Sequence, residues 1–136
     1  MLARAIQKNI AVTSRKAGLV CDLIRGKEIK QAGIILQNTH KRVAKIILKL
    51  LNQAIANATN NHAMDASKLY VYNAIANQGT TIKRTLPRAK GSADLLKLRH
   101  SHIEITLSDD KNERKNEVAK TKAKKSKKVS KEGGAE

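Results

Sequence analysis

At 136 residues the chain is long enough for one domain with a short extension, and its 28 Lys and Arg residues against 11 Asp and Glu residues give a net charge of +17. A charge of this size attracts phosphate or an anionic membrane, and it destabilises the isolated compact chain through self-repulsion. The sequence contains no apolar run approaching the about 18 residues that a membrane span requires, and its single cysteine, Cys21, excludes an internal disulfide.

The chain begins with a predicted strand and a first helix. Residues 3–12 alternate weakly between apolar and polar, which favours a strand. Thr13 or Ser14 can supply a capping oxygen for the helix that follows, and Gly26 is expected to end it, because glycine accepts the left-handed conformation common at helix C-termini. The apolar residues of this helix at helical spacing are Ala17, Val20, Cys21 and Ile24.

Two further helices follow. The second is expected over residues 29–37 and should bury Ile29, Ala32, Ile35 and Leu36. Thr39 is a candidate cap for the third, whose apolar stripe consists of Val43, Ile47, Leu50, Leu51, Ala54 and Ala58. The opposite side of its first half carries Lys41, Arg42, Lys45 and Lys49. These four cations are explained equally well by an ordinary solvated face and by a binding surface.

The second half of the chain predicts two strands joined by a basic β-ribbon. Residues 68–77 place Leu69, Val71 and Ile75 on one face, and residues 102–107 place Ile103, Ile105 and Leu107 on the facing strand. Between them, residues 79–102 read GTTIKRTLPRAKGSADLLKLRHSH, with six Lys and Arg residues against Asp94. Pro87 and Gly91 indicate a turn near the middle of this ribbon.

The ribbon requires an anionic environment. With arms of about ten residues at about 3.3 Å each, it would reach roughly 30 Å. A two-stranded ribbon alone is marginally stable in water, and this one is cationic and has no core of its own. We therefore expect it to be enclosed by a polyanion.

These elements predict an α+β fold in which three helices pack on a small antiparallel sheet, with a long protruding basic β-hairpin. The folded domain should cover residues 1–108, including the hairpin at about 79–101. Residues 109–136 carry ten Lys and Arg and six Asp and Glu, with Val118 and Val129 as their large aliphatics. Such a composition cannot offset the entropy of ordering, so a disordered, flexible basic tail is expected.

The sequence gives little support to an enzyme. It has no glycine-rich phosphate loop and no paired carboxylates in an apolar setting. His100 and His102 face the same way on a strand, but no third ligand lies nearby in sequence, so we expect no metal, no cofactor and no catalytic residues. The N-terminus, MLARAIQKNIAVTSRK, lacks the long apolar centre of a secretory signal, which favours a cytoplasmic protein.

Nucleic-acid binding is well supported, by contrast. The only aromatic residues are Tyr70 and Tyr72, so base stacking is not expected to carry recognition. Phosphate contacts and the shape of the nucleic acid should carry it instead. Because the cations are spread over several helices, the ribbon and the tail, they fit a partner that surrounds the protein. A large folded RNA fits this description better than a straight duplex does.

An architectural DNA-bending protein is the alternative, because such proteins also use basic β-arms with a proline near the tip. Those arms act in dimers, and this sequence offers no evident dimer interface. Tight binding to a short duplex, with a measurable bend and a dimeric mass, would favour this alternative.

Several stretches together resemble the family of large-subunit ribosomal protein twenty-two. They are Thr13-Ser14-Arg15-Lys16-Ala17, Ile24-Arg25-Gly26-Lys27, Ala54-Ile55-Ala56-Asn57-Ala58, Lys83-Arg84, Pro87-Arg88-Ala89-Lys90-Gly91 and Ser101-His102-Ile103. The resemblance covers about residues 3–108 and is specific in the combination of these stretches. Ser14 stands where the family often has proline, Ser92, Leu95 and Leu98 stand where it is often basic, and the tail after Asp109 has no counterpart in the family pattern.

The resemblance implies a structural constituent of the large ribosomal subunit that binds large-subunit ribosomal RNA and aids subunit assembly. It implies contacts with neighbouring ribosomal proteins, as a monomer within the ribosome, and a hairpin that lines the nascent-peptide exit tunnel. The tip that meets the nascent peptide would be Arg88, Ala89, Lys90 and Gly91. The candidate RNA-binding residues are Arg15, Lys16, Arg25, Lys27, Lys41, Arg42, Asn57, Asn60, Lys83, Arg84, Arg88, Lys90, Lys97, Arg99 and His102.

Overall fold

In the computed structural model the described residues are 1–109, and they form three α-helices and a three-stranded antiparallel sheet. The elements in chain order are β1 (Leu2–Ile10), α1 (Ser14–Ile24), α2 (Ile29–Asn38), α3 (Arg42–His62), β2 (Tyr70–Pro87) and β3 (Ala93–Ser108), with a single 3-10 turn (Ala89–Gly91) between the last two strands. The predicted α+β class, with three helices packed on a small antiparallel sheet, is confirmed. The predicted tail lies outside the described residues, except for Asp109.

The strand β3 is the centre of the sheet. It pairs with β1 from Leu2↔Ser108 to Ile10↔Ser101 and with β2 from Tyr70↔Ser108 to Pro87↔Ala93. Because β1 ends at the level of Ser101, β2 and β3 continue beyond it as a two-stranded ribbon. Residues 81–99 of this ribbon are called the arm below, and every residue from 82 to 99 is exposed.

The core lies between one face of the sheet and the three helices, and it is almost entirely aliphatic. Ile103, Ile105 and Leu107 on β3 are fully buried, as their alternation predicted. The stripes predicted for the first and third helices are confirmed, since all ten of their residues are buried: Ala17, Val20, Cys21, Ile24, Val43, Ile47, Leu50, Leu51, Ala54 and Ala58. Of the four residues predicted for the second helix, Ala32 and Leu36 are buried, whereas Ile29 and Ile35 are partly buried against the core.

The prediction for the core face of β2 was wrong in part. Val71 is buried, but the next buried residue along the strand is Ala74, and Ile75 is only half-buried. The cause is a β-bulge between Val71 and Asn73, which places one extra residue on β2. An extra residue shifts the alternation by one position, so the core face passes from odd-numbered to even-numbered residues.

The helix N-termini also differ from expectation. Thr13 precedes α1 in extended conformation but makes no side-chain capping hydrogen bond. Thr39 does not cap α3, which Lys41 precedes; it follows α2, where its hydroxyl donates to the carbonyl oxygen of Ile35 at 2.7 Å. Both α1 and α3 therefore begin with first-turn N–H groups that no side chain of the N-cap residue satisfies.

The end of α1 is tied to β2 through backbone hydrogen bonds. Gly26 has φ +78°, the left-handed conformation expected of it. Its N–H donates to the carbonyl oxygen of Val71 at 2.8 Å, and the N–H of Val71 donates to the carbonyl oxygen of Lys27 at 2.9 Å. This exchange fixes the helix against the sheet edge.

Gly79 lies in a second bulge, between Gln78 and Thr81, where β2 approaches β3 closely. A Cβ on Gly79 would stand 3.1 Å from Cε1 of His102 and 3.2 Å from the backbone C and O of His100. Because the central strand cannot yield freely, we expect Gly79→Ala to lower the free energy of unfolding by about 1–3 kcal/mol in urea denaturation. Gly18→Ala on α1 is the control, since its Cβ would meet nothing within 4 Å and should add about 0.5–1 kcal/mol through helix propensity. A loss of stability in both variants would contradict this account.

Cys21 gives the fold a measurable pH dependence. Its side chain is fully buried, and burial raises the pKa of the thiol to about 11. Because the pKa is higher in the folded state, the contribution of the neutral thiol to the free energy of unfolding is complete below the unfolded pKa. It is lost as the pH rises through the folded pKa. We expect the free energy of unfolding of the wild type, relative to the non-titrating Cys21→Ala, to fall by about 2 kcal/mol between about pH 8 and pH 11. Parallel pH profiles for the two proteins would contradict the expectation.

Candidate nucleic-acid interface

Two adjoining surface clefts collect cations from three separate parts of the chain. Both are lined by Thr13, Lys16 and Leu19 near the start of α1 and by Arg99 at the base of the arm. One continues to Gln78 and His100, and the other continues to the start of α3. We call the joined surface the basic cleft, and its cations are Arg15, Lys16, Lys41, Arg42 and Arg99. No Asp or Glu residue lines either part.

The helix ends strengthen the positive potential of the basic cleft. Both α1 and α3 begin beside it, neither has an acidic residue in its first turn, and neither receives a side-chain capping bond from its N-cap residue. A helix N-terminus carries a partial positive charge and directs free N–H groups outward. Together with five cations, two such ends form a surface suited to phosphate.

The arm carries a basic face that continues from the cleft. Directly opposite residues of an antiparallel pair share a face, and successive residues alternate between faces. Thr81↔Arg99 and Lys83↔Lys97 are opposite pairs and therefore lie on the same face. On β3, Lys97 and Arg99 lie four and two residues before the buried residue Ser101, so their side chains are on the same side of the sheet as Ser101. That is the side on which the helices pack. Arg99 thus belongs to both the cleft and the arm. We call this side the basic face.

The basic face is unfavourable without an anion. Lys83 and Lys97 are directly opposed, both are exposed, and like charges in this position destabilise a strand pair. A phosphate beside them would convert the repulsion into two favourable contacts.

The turn of the arm is held by its own contacts. The Arg88 N–H donates to the carbonyl oxygen of Ser92 at 2.8 Å, and Arg88 Nε pairs with Asp94 Oδ2 at 2.7 Å. Between them Lys90 and Gly91 adopt left-handed conformations, with φ +58° and +73°. The Arg88 guanidinium is therefore engaged by a carboxylate, whereas Lys90 extends from the exposed end of the turn.

Three further candidate RNA-binding residues join separate elements of the fold. Arg25 Nη2 donates to the carbonyl oxygen of Ala74 at 2.6 Å and its Nη1 pairs with Asp22 at 2.7 Å, so it fastens α1 to β2. Asn57 donates from Nδ2 to the carbonyl oxygen of Arg4 at 3.1 Å, which joins α3 to β1. His102 Nδ1 accepts from the N–H of Asn9 at 3.0 Å, at the bulge of β1.

The remaining candidates fall into two groups. Those on the basic cleft or the basic face are Arg15, Lys16, Lys41, Arg42, Lys83, Lys97 and Arg99. Lys27 and Asn60 are exposed and lie outside the lining of the cleft, and Arg84 lies on the opposite side of the arm from Lys83. Sequence reasoning missed Thr13, Leu19 and Gln78 as lining residues, because only the folded sheet brings Gln78 beside α1.

The role of Arg25 can be tested directly. Arg25→Met keeps the aliphatic stem and removes the hydrogen bond to Ala74, so we expect the free energy of unfolding to fall by about 1.5–3 kcal/mol in urea denaturation. Lys27→Met, which removes an exposed cation two residues away, should change it by less than about 0.5 kcal/mol. RNA affinity should be unchanged in Arg25→Met measured well below its melting temperature. A variant of full stability with weakened RNA binding would show that Arg25 contacts RNA instead.

Other classes of site receive no support from the described residues. Within residues 1–109, no three His, Cys, Asp or Glu side chains lie close enough together to hold a metal ion. None of the helices in that part of the chain has the length and apolar character needed to span a membrane.

The comparison with known families decides the identity. Residues 5–108 match the family described as ribosomal protein L22p/L17e. The chain belongs to this family. As a member of the L22p/L17e family, it is a structural constituent of the large ribosomal subunit in the cytoplasm and not an enzyme.

Relatives named large ribosomal subunit protein uL22 are similar over most of the chain. The protein of Malacoplasma penetrans is 67% identical over 118 residues, which cover 87% of each chain. That of Mycoplasmoides gallisepticum is 57% identical over 129 residues, covering 95% of this chain and 90% of the relative. The Clostridioides difficile protein is 48% identical over 111 residues, covering 82% of this chain and all of the relative.

These matches correct one expectation about the tail. The family match ends at residue 108, as expected. Coverage of 95% of a 136-residue chain nevertheless extends well past Asp109, so the tail has a counterpart in the Mycoplasmoides gallisepticum relative. The expectation that the tail had no counterpart in the family was therefore wrong for this relative.

Proposed function

We propose that the chain binds large-subunit ribosomal RNA through the basic cleft and the basic face of the arm, and that the turn of the arm lines the nascent-peptide exit tunnel. The observation that carries the first part is the unbroken positive surface from α1 and α3 through Arg99 to Lys83 and Lys97. It contains two helix N-termini and no carboxylate. RNA phosphates are the ligand that satisfies these groups at once.

Phosphate and shape recognition also agrees with the aromatic residues. Tyr70 is buried and Tyr72 is half-buried, so neither is a fully exposed ring on which a base could stack. A sequence-reading single-strand protein needs such platforms. The arrangement instead favours a folded RNA held by its backbone.

The tunnel proposal is supported by the form of the arm. Six steps from Thr81 to Pro87 at about 3.3 Å each give a reach of roughly 20 Å from the body. Its end carries the small residues Ala89 and Gly91 and two exposed cations, Lys90 and Arg88, the latter paired with Asp94. The stretch from residue 79 to 103 is also where the family resemblance is most specific. Such an end could stand in a narrow passage without blocking it.

Site-specific photo-crosslinking in assembled particles tests both parts. A benzophenone amino acid at Arg99 or Lys83 should crosslink to large-subunit RNA, and one at Lys68, at the far end of the sheet, serves as the control for surface position. A probe at Lys90 should capture the nascent chain in translating ribosomes and lose that product after puromycin release. If Arg99 and Lys83 probes fail to crosslink to RNA, the first part is wrong; a Lys90 probe that never reaches the nascent chain would overturn the second.

A further inference from the structure

The arm has a second face that is richer in large aliphatic side chains than the basic face, where Leu95 is the one such residue. The opposite pairs Ile82↔Leu98, Arg84↔Leu96 and Leu86↔Asp94 alternate with those of the basic face and therefore lie on the other side. Four of these six residues are large aliphatics. We call this side the aliphatic face, and its aliphatic members are Ile82, Leu86, Leu96 and Leu98.

The aliphatic face is uncovered in the isolated chain. Ile82 and Leu98 are each 44% exposed, Leu86 is 46% exposed and Leu96 is 48% exposed. Facing residues of a strand pair lie close enough to form one surface, so these four side chains make a contiguous patch along the arm. Single exposed leucines are ordinary, but a contiguous apolar patch marks an interaction site.

The charges of the aliphatic face argue against RNA as its partner. The aliphatic face carries one cation, Arg84, and one carboxylate, Asp94, which is the only acidic residue in the sequence of the arm. Its carboxylate pairs with Arg88 of the turn, which holds a negative group at the end of this face. A phosphate here would find a single guanidinium, Arg84, among four aliphatic side chains, so an RNA backbone would leave most of the hydrocarbon without an apolar partner. The two faces therefore favour two different chemistries.

We propose that the aliphatic face packs against an extended, aliphatic polypeptide segment of a neighbouring protein in the large subunit. This inference rests on the proposed function for the position of the arm inside the particle. A polypeptide covers the aliphatic side chains without bringing phosphate towards Asp94, and Arg84 can donate to its backbone carbonyl groups. A resident segment fits better than a passing nascent chain, which would leave the patch exposed to water between passages.

Photo-crosslinking at two adjacent positions tests the proposal in vacant large subunits. The probe p-benzoylphenylalanine at Leu96 lies on the aliphatic face, and the same probe at Lys97 lies on the basic face. We expect the Leu96 probe to give a protein–protein product and the Lys97 probe to give a protein–RNA product. RNA as the product at both positions, or a Leu96 product that forms only with a nascent chain in translating ribosomes, would overturn the inference. Failure of the Lys97 probe to reach RNA would instead overturn the proposed function.

Competition for assembly gives a second, independent measurement. Leu96→Ser with Leu98→Ser should reduce occupancy of large subunits about tenfold relative to co-expressed wild type, because burial of both side chains is lost. Loss of an apolar contact should not grow when the particles are washed at higher salt. Lys83→Ser with Lys97→Ser is the matched pair on the other face, and its deficit relative to wild type should shrink as salt is raised, because salt screens the phosphate contacts that the wild type retains. Wild-type occupancy for the leucine pair, or a deficit that shrinks with salt as in the lysine pair, would contradict the proposal.

Discussion

Removing three cations from the basic cleft and the basic face is expected to weaken binding to large-subunit ribosomal RNA by about 100-fold at roughly 0.15 M salt. The variant combines Lys16→Gln and Arg99→Gln in the basic cleft with Lys97→Gln on the basic face. Each cation that neutralises a phosphate releases a condensed counterion, so the slope of log affinity against log salt should fall by about 2 to 3. A filter-binding or fluorescence titration over several salt concentrations measures both quantities.

The matched control removes the same net charge elsewhere. Lys8, Lys30 and Lys68 are exposed and lie outside the basic cleft and the arm. Their replacement by Gln lowers the overall positive field equally but leaves the proposed phosphate contacts intact. We expect a smaller loss and a salt slope close to that of the wild type. Equal losses in the two triple variants would mean that binding depends on net charge and not on this surface.

The second prediction with a large expected effect compares a buried leucine of the sheet with an exposed one. Leu107 on β3 is fully buried, whereas Leu96 on the same strand is 48% exposed. Leu107→Ala should lower the free energy of unfolding by about 2–5 kcal/mol, since it removes buried methyl groups and leaves a cavity beneath the helices. For a domain of this size, such a loss is a large part of the total stability. Urea denaturation of the free protein measures it.

Leu96→Ala makes the same chemical change on the arm and is the control. The free protein buries this side chain against no second layer, so its stability should change by less than about 0.5 kcal/mol. The contribution of Leu96 should become measurable only in the assembled subunit. A loss for Leu96→Ala comparable with that for Leu107→Ala would show that the arm folds against the body in solution, contrary to its exposure here.

Local patterns predicted the helices well because the signal for a buried helix face is short-range. Ala17, Val20, Cys21 and Ile24 repeat within two turns, and Gly26 marks the end by its conformational freedom alone. The sequence patterns failed where pairing with a distant strand decides which residues are buried. Nothing near Val71 in the sequence signals the bulge that buries Ala74 and leaves Ile75 half-buried, since a bulge depends on the register with β3.

In the candidate interface, too, the sequence identified residues but not the tertiary contacts that they make. The sequence identified all five cations of the basic cleft as candidates, including Lys16 and Arg99, but not the fact that they converge. Residue type could not separate Arg25, whose guanidinium bonds to the Ala74 carbonyl oxygen, from a cation that faces outward. The distinction between them lies in tertiary contacts 49 positions apart in the chain, which sequence periodicity does not contain.

The bulge between Gln78 and Thr81 has a consequence for the whole arm. If the ladder ran straight on from Gln78↔Ser101, Ile82 would stand across from Lys97, and Lys83 across from Leu96. Both sides would then mix lysine with hydrocarbon, and neither would suit a single kind of neighbour. One additional residue pairs Ile82 with Leu98 and Lys83 with Lys97, so at these two positions hydrocarbon faces hydrocarbon and lysine faces lysine. The proposed separation of nucleic acid from protein by so thin a structure therefore depends on the spacing of its amino acids and not on their kinds.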